Sequence, residues 1–355
     1  MTPLAGLLLR QIAATGPITV AEYMTTCLMH PRMGYYATRQ PLGAAGDFVT
    51  APEISQMFGE LAGLCLAQSW IERGCPAPFA LVELGPGRGT LMTDALRATA
   101  GVPGFHAAMR LVLVEGSAPL RAEQQDRLAG FAPAFADRLD DLPDLPVFAV
   151  ANELFDAMPI RQFLRDGDLW RERMVGAHDD ALCFALSDAV RLAELEHRLD
   201  DTDEGDLVEL SGPATALAAE LGQIVADRGG LCLVIDYGDE TSRGDTLQAV
   251  RGHRKQGPLD MPGEADLTAH VDFGALRRAA PCAASALTPQ GVWLERLGIT
   301  ERARTLARGL SGDALASHVA AHRRLTHPDE MGTLFRVMAL HDAAGPPPGL
   351  ESPAP

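Results

Sequence analysis

Glu83 sits in an apolar run, Leu81-Val82-Glu83-Leu84, and three glycines follow at alternate positions, Gly85, Gly87 and Gly89. Glycine lets backbone approach a ligand closely and take up positive φ, which a side chain would hinder. The run Leu91-Met92-Thr93-Asp94-Ala95-Leu96 reads as a helix, so the segment is a strand, a tight turn and a helix N-terminus aimed at one point. The acid is the informative member. Dinucleotide-binding turns usually have a small or apolar residue there, because the pyrophosphate is anionic. A carboxylate would repel phosphate but suit a cation such as the ammonium and sulfonium of S-adenosylmethionine (SAM). Glycines alone are weak evidence; with Glu83 they favour methyl transfer.

Two further strand ends carry polar groups. Glu115 follows Leu111-Val112-Leu113-Val114, where an acid can take both ribose hydroxyls of a nucleotide. NAD enzymes use the same device, so Glu115 argues for nucleotide binding and not for methyl transfer in particular. Asn152-Glu153-Leu154-Phe155-Asp156 follows the run Val147–Ala151. Glu153 and Asp156 are placed to present carboxylates to a substrate; a helix-capping Asn152 with first-turn acids is the plainer alternative. His318 and His322 share a helical face, but Arg323 and Arg324 beside them are poor company for a cation. Ser211 lacks the flanking glycines of a nucleophile elbow.

The elements that must position these residues alternate. Strand-like runs cover 81–84, 111–115, 147–151 and 231–236, and helical runs cover 91–99, 119–129 and 213–227, the pattern of a parallel sheet covered on both faces. Residues 4–14 and 19–29 read as two helices, with Thr19 as N-cap of the second. Short polar-apolar strands over 160–186 read as an antiparallel insertion on the sheet edge. Leu334–Leu340 reads as a closing strand, and the Pro- and Gly-rich end from Gly345 as disordered. The stretch Pro41–Pro52 has no regular period, and composition alone makes it a simple connection.

The 355 residues, 47% hydrophobic and 22% charged, are those of a globular protein with a sizeable core. A net charge of -17 argues against non-specific nucleic-acid binding, which needs clustered Lys and Arg. The six cysteines are scattered, with no pair at metal or redox spacing, which fits a reducing compartment. No apolar stretch approaches the roughly 18 residues that span a membrane. No metal site and no membrane insertion are expected, and the cytoplasm is the expected location.

Three stretches together carry a resemblance. Gly46-Asp47-Phe48-Val49-Thr50-Ala51-Pro52-Glu53-Ile54-Ser55-Gln56-Met57-Phe58-Gly59-Glu60, the turn Glu83–Thr90, and Ala151-Asn152-Glu153-Leu154-Phe155-Asp156-Ala157-Met158-Pro159 resemble the MidA-like family. Gly16-Pro17-Ile18, His30-Pro31-Arg32-Met33-Gly34-Tyr35-Tyr36, Asp236-Tyr237-Gly238 and Ala265–Phe273 extend the match in order over residues 10–340. The mitochondrial members of that family are SAM-dependent protein arginine methyltransferases of respiratory complex I assembly. The resemblance implies an α/β fold with a seven-strand, Rossmann-like methyltransferase core, an N-terminal helical extension, and inserted and C-terminal accessory elements. It implies SAM as cofactor and a protein partner: a complex I subunit homologous to the mitochondrial 49-kDa subunit, or its bacterial equivalent, dimethylated symmetrically on arginine. A homodimer is a further expectation. The long presequence of mitochondrial members has no counterpart here, in keeping with a bacterial cytoplasmic protein.

The expected division is 1–75 for N-terminal helices and a closing loop, and 76–245 for the core with the insertion at about 160–205. Residues 246–342 form an accessory region and 343–355 a tail. In this reading Gly46, Asp47 and Thr50 close over the cofactor, and Glu83, Gly85, Gly87, Gly89 and Glu115 bind it. Asn152, Glu153 and Asp156 are the catalytic candidates: the carboxylates hold guanidinium charge on two nitrogens and turn the third toward the methyl group. His253 and His270 are weaker candidates as proton acceptors. An NAD-dependent oxidoreductase and a non-catalytic assembly chaperone with the same fold are the rival functions.

Overall fold

The computed structural model describes residues 1–38 and 49–353. Gly46 and Asp47 therefore lie outside the described residues. The chain divides into two compact units, each assembled from separated stretches. The first takes Met1–Phe48, Asp156–Ala214 and Thr241–Asp272; the second takes Val49–Phe155, Thr215–Glu240 and Phe273–Pro355.

The second unit is built on a sheet, nine-stranded among the described residues, whose main path runs through β1 (Phe79–Leu84), β2 (Met109–Val114), β3 (Ala134–Ala136), β4 (Val147–Asn152), β5 (Gly230–Asp239), β6 (Ala283–Ala284) and β7 (Phe335–His341), with the short strand Thr288–Pro289 pairing on β7 off this path. Their order is β6-β7-β5-β4-β1-β2-β3. The five strands from β5 to β3 are parallel, and β7 runs antiparallel to β5. Every residue of β1 is buried, as expected of a central strand covered on both faces, and this is why the apolar run in the sequence is unbroken. The order reverses between β1 and β4, so the crevice beyond their carboxyl ends is where such a sheet receives a ligand. Phe79 packs its ring 5.0 Å from Phe105 and 5.3 Å from Phe148, anchoring the core.

Helix α1 (Gln56–Glu72) is apolar nearly all round because it is covered on several sides. It crosses α2 (Thr90–Thr99) closely at Gly59 and Gly63. A Cβ on Gly63 would fall 2.6 Å from Ala95, so the crossing admits no side chain. Glu60, buried on α1, takes two hydrogen bonds from Arg302 at 2.7 and 2.8 Å and one from Arg97 at 2.9 Å. Burial raises its pKa, but the Arg302 bonds and charge, joined by the Arg97 charge and a bond from Gln56, together outweigh it and hold the carboxyl below the usual range. The end of the chain departs from the expectation of disorder. Leu350 is buried in the same core, and Ala286 N–H donates to the Glu351 carbonyl at 2.7 Å.

The first unit has its own antiparallel sheet. Leu169–His178 pairs with Arg161–Asp166, with Ala181–Val190 and with Ile18–Thr19. The 160–186 strands are thus not an addition to the edge of the parallel sheet; their partner is an N-terminal strand that local pattern could not reveal. The helices Pro3–Thr15 and Val20–Met29 form as read, and Thr19 closes a reciprocal capping box with Glu22. His253 is exposed at a hairpin tip in a left-handed conformation beside Gly252, so turn geometry accounts for it.

Candidate functional site

Strand register levels the polar strand ends. Leu84 pairs with Val114 on one side and Ala151 on the other, so Gly85, Glu115 and Asn152 emerge side by side at the carboxyl edge of the sheet. The turn that follows β1 holds Gly85, Gly87 and Gly89 at φ of 62°, 53° and 75°, all left-handed. A Cβ on Gly85 would come 2.9 Å from Leu154 Cδ1. Gly89 is the N-cap of α2, so the first N–H groups of that helix face the turn.

Glu83 is 3% exposed. The Met92 backbone N–H, in the first turn of α2, bonds its carboxylate, while Oε2 has no hydrogen-bond partner among the described residues. Burial pushes the Glu83 carboxyl up to about 8; the Met92 bond opposes this and the Glu115 charge adds to it. A buried acid oxygen in a glycine cradle, without a hydrogen-bond partner among the described residues, is one that a ligand's ammonium would satisfy. Glu115, half-buried at the end of β2, accepts from Ser117 N–H at 2.7 Å and from Gln124 Nε2 at 3.3 Å.

Beyond β4 the backbone is strained. Glu153 has φ 50°, an uncommon conformation for a residue with a side chain. Its N–H donates to Ile235 at 2.8 Å, and the next two N–H groups, of Leu154 and Phe155, donate to Asp236 Oδ2 at 3.1 and 2.9 Å. Asp236 is wholly buried, so the turn is fixed from beneath by one carboxylate. Glu153 Oε1 in turn accepts from Asn152 Nδ2 at 3.2 Å and from Ala51 N–H at 2.8 Å. Thr50 is the N-cap of the short helix Ala51–Ile54, and its side chain makes no capping bond. Glu53 on that helix accepts from Thr90 at 2.5 Å and faces Arg88 at 3.8 Å, tying the segment to the glycine turn.

The second unit thus brings together Thr50, Glu83, Gly85, Gly87, Gly89, Glu115, Asn152 and Glu153. Asp156 begins a stretch of the first unit, where it is 8% exposed and its carbonyl accepts from Ala269 N–H. His270 also belongs to the first unit, with its N–H on Thr246 Oγ1 at 2.8 Å. Reading by motif did not assign roles to Glu53, Asp236 or Gln124. The first two lie inside recognised motifs; Gln124, a polar residue in a polar helix, gives no signal. His318 and His322 bond Ala303 and Thr300 separately, and no metal-holding group of three His, Cys, Asp or Glu occurs among the described residues.

The model of a family described as S-adenosyl-L-methionine-dependent methyltransferases matches residues 61–292. The mitochondrial protein arginine methyltransferase NDUFAF7 of Mus musculus is 35% identical over 96% of this chain and 84% of its own length. The Homo sapiens protein is 36% identical over 96% and 83%. A likely methyl transferase from Burkholderia thailandensis, solved bound to S-adenosyl-homocysteine, superposes with a TM-score of 0.82 at 30% identity, covering 98% of this chain and 93% of that one. These relatives overturn the expectation of a cytoplasmic protein, since those with curated names are mitochondrial. Scattered thiols and an acidic balance do not tell one reducing compartment from another.

Proposed function

The chain belongs to the family of SAM-dependent methyltransferases, and from that premise we propose that it methylates arginine in a protein substrate. The observation that carries this reading is Glu153: a carboxylate held on strained backbone at the ligand edge of the sheet, beside Asn152 and level with the glycine turn. Strain of this kind persists where the surrounding structure imposes it, and it clusters at working sites. The names of the relatives, protein arginine methyltransferases, support the substrate class.

The residues present fit the cofactor. Glu83 Oε2 would take its ammonium, Glu115 its ribose hydroxyls, and the backbone of Gly85–Gly89 would lie against it without side chains between. Thr50, next to the N–H that binds Glu153, belongs to the same wall; Gly46 and Asp47 are assigned to it from the motif alone. The bound cofactor supplies a methyl group already activated on a sulfonium. What remains for the protein is alignment and exclusion of water. Glu153 would hold the guanidinium by charge-assisted bonds, with Asn152 orienting it. Asp156, three residues on, is proposed as a second carboxylate from its place in the sequence.

The finer reading follows the family resemblance. The target is an arginine on the complex I subunit homologous to the mitochondrial 49-kDa subunit, carried to symmetric dimethylarginine in support of complex I assembly, by an enzyme that pairs as a homodimer. Incubation of the pure protein with labelled SAM and that subunit, followed by mass spectrometry, tests it. Symmetric dimethylarginine is the expected product. Binding of the subunit with no methyl transfer would instead make the protein an assembly chaperone.

A further inference from the structure

Helix α3 (Ala118–Arg127) follows β2 and is polar over its last five residues. Gln124 is the one residue it buries, and it is 0% exposed. An amide is an unfavourable choice for such a place unless its hydrogen bonds are needed. Its Nε2 donates to the Gly87 carbonyl at 2.6 Å and to Glu115 Oε2 at 3.3 Å. Both neighbours are acceptors without a proton to give, so the orientation of the amide is forced. The cost of that orientation is visible: Oε1 is left without a partner among the described residues. Leucine would fill the space behind Gly89, where a Cβ would stand 3.5 Å from Gln124 Cγ. It could not join a turn carbonyl to an acid on another strand.

We propose that Gln124 is a positioning residue for the cofactor pocket, one amide setting the Gly87 peptide and the Glu115 carboxylate relative to each other before ligand arrives. The inference rests on the reading of Glu115 as a cofactor-binding residue. Pre-setting the two groups removes an ordering penalty from binding, so it acts on cofactor affinity and leaves turnover at saturating cofactor nearly unchanged.

The test is calorimetry of S-adenosyl-homocysteine on the full chain carrying Gln124→Met or Gln124→Glu, with melting temperatures alongside. Gln124→Met keeps the length and removes both donors; its affinity is expected to fall about tenfold, the scale of a lost hydrogen bond to a charged group. Gln124→Glu places a third acid near Glu115 and Glu83. The other charged groups nearby are already engaged: Arg121 on the Glu115 carbonyl and Asp137, Arg127 on Thr90 and Glu123, Arg88 on Glu123. Affinity of this variant is expected within about threefold of wild type at pH 5.5, where the new acid keeps one proton to donate in place of the amide's two, and about tenfold weaker by pH 8. Glu115→Ala is the control. If it binds like wild type, the cofactor-site reading itself is wrong. If Glu115→Ala loses binding while Gln124→Met stays within twofold of wild type, the proposal is overturned. Should Gln124→Met fail to fold, Gln124→Glu decides alone: a loss of affinity that tracks melting temperature and ignores pH makes Gln124 a packing residue only.

Discussion

Glu153 Oε1 accepts a hydrogen bond from the backbone N–H of Ala51 at 2.8 Å, across a sequence separation of 102 residues. The contact uses an oxygen that an amide would also provide. Glu153→Gln is therefore expected to fold, to melt within a few degrees of wild type and to bind S-adenosyl-homocysteine normally. It lacks the charge to hold a guanidinium, so methylation should fall at least a hundredfold. Full activity in a mass-spectrometric assay would remove Glu153 from the reaction.

The glycine turn admits a second test. Gly87 sits at φ 53°, where a β-branched side chain is strained, and Glu115 stands level with Gly85 at the neighbouring strand end. Gly87→Val and Glu115→Ala should each weaken S-adenosyl-homocysteine binding at least tenfold by calorimetry. Unchanged affinity in both would move the cofactor elsewhere.

Glu83 makes the pocket sensitive to pH. Burial lifts its carboxyl from the ordinary 4.5 to about 8, so the folded protein binds this proton more tightly than the unfolded chain does. The stabilisation is complete below about pH 4.5 and is lost as pH rises through about 8. Glu83→Gln should gain on wild type across that window, by on the order of a few kcal/mol in denaturant titrations at its upper end. A ligand ammonium favours the ionised acid, so binding near pH 7 should release a proton. Calorimetry in buffers of different ionisation enthalpy would show this for wild type and not for Glu83→Gln; equal proton release in the two would clear Glu83 of the role.

Glu60 and its two arginines support the helix that packs on α2. Removing the acid strands Arg302 and Arg97, but these reach solvent, at 37% and 50% side-chain exposure, and can be rehydrated. Glu60→Ala is thus expected to destabilise the protein by about 2 kcal/mol, below the range for a fully buried pair. A loss under about 0.5 kcal/mol by urea titration would show that the cluster contributes only surface electrostatics.

Much of the second unit was legible because its parallel strands are buried on both faces and leave continuous apolar runs, as at Phe79–Leu84 and Val147–Asn152. The glycine turn was legible because few residue types tolerate its left-handed positions, and Glu83 stood out because an acid is out of place in a buried apolar run. The rest depended on partners far along the chain. Nothing near residue 175 says that Val175 pairs with Ile18, and nothing in α3 marks Gln124 from Gln125 beside it. The Pro- and Gly-rich end reads as disordered by composition. There one leucine outweighs the average: Leu350 is 7% exposed, and Gly349 fits where a Cβ would stand 2.9 Å from Trp293.

The chain passes from one unit to the other five times, at the boundaries 48/49, 155/156, 214/215, 240/241 and 272/273. No single truncation can then yield either unit whole. On the ribosome, the first unit stays incomplete until Asp272 has emerged, and the parallel sheet keeps a bare edge on β5 until β7, made well after it, arrives to cover it. Nascent chains stalled short of Phe335 should accordingly be the form most exposed to proteases and chaperones.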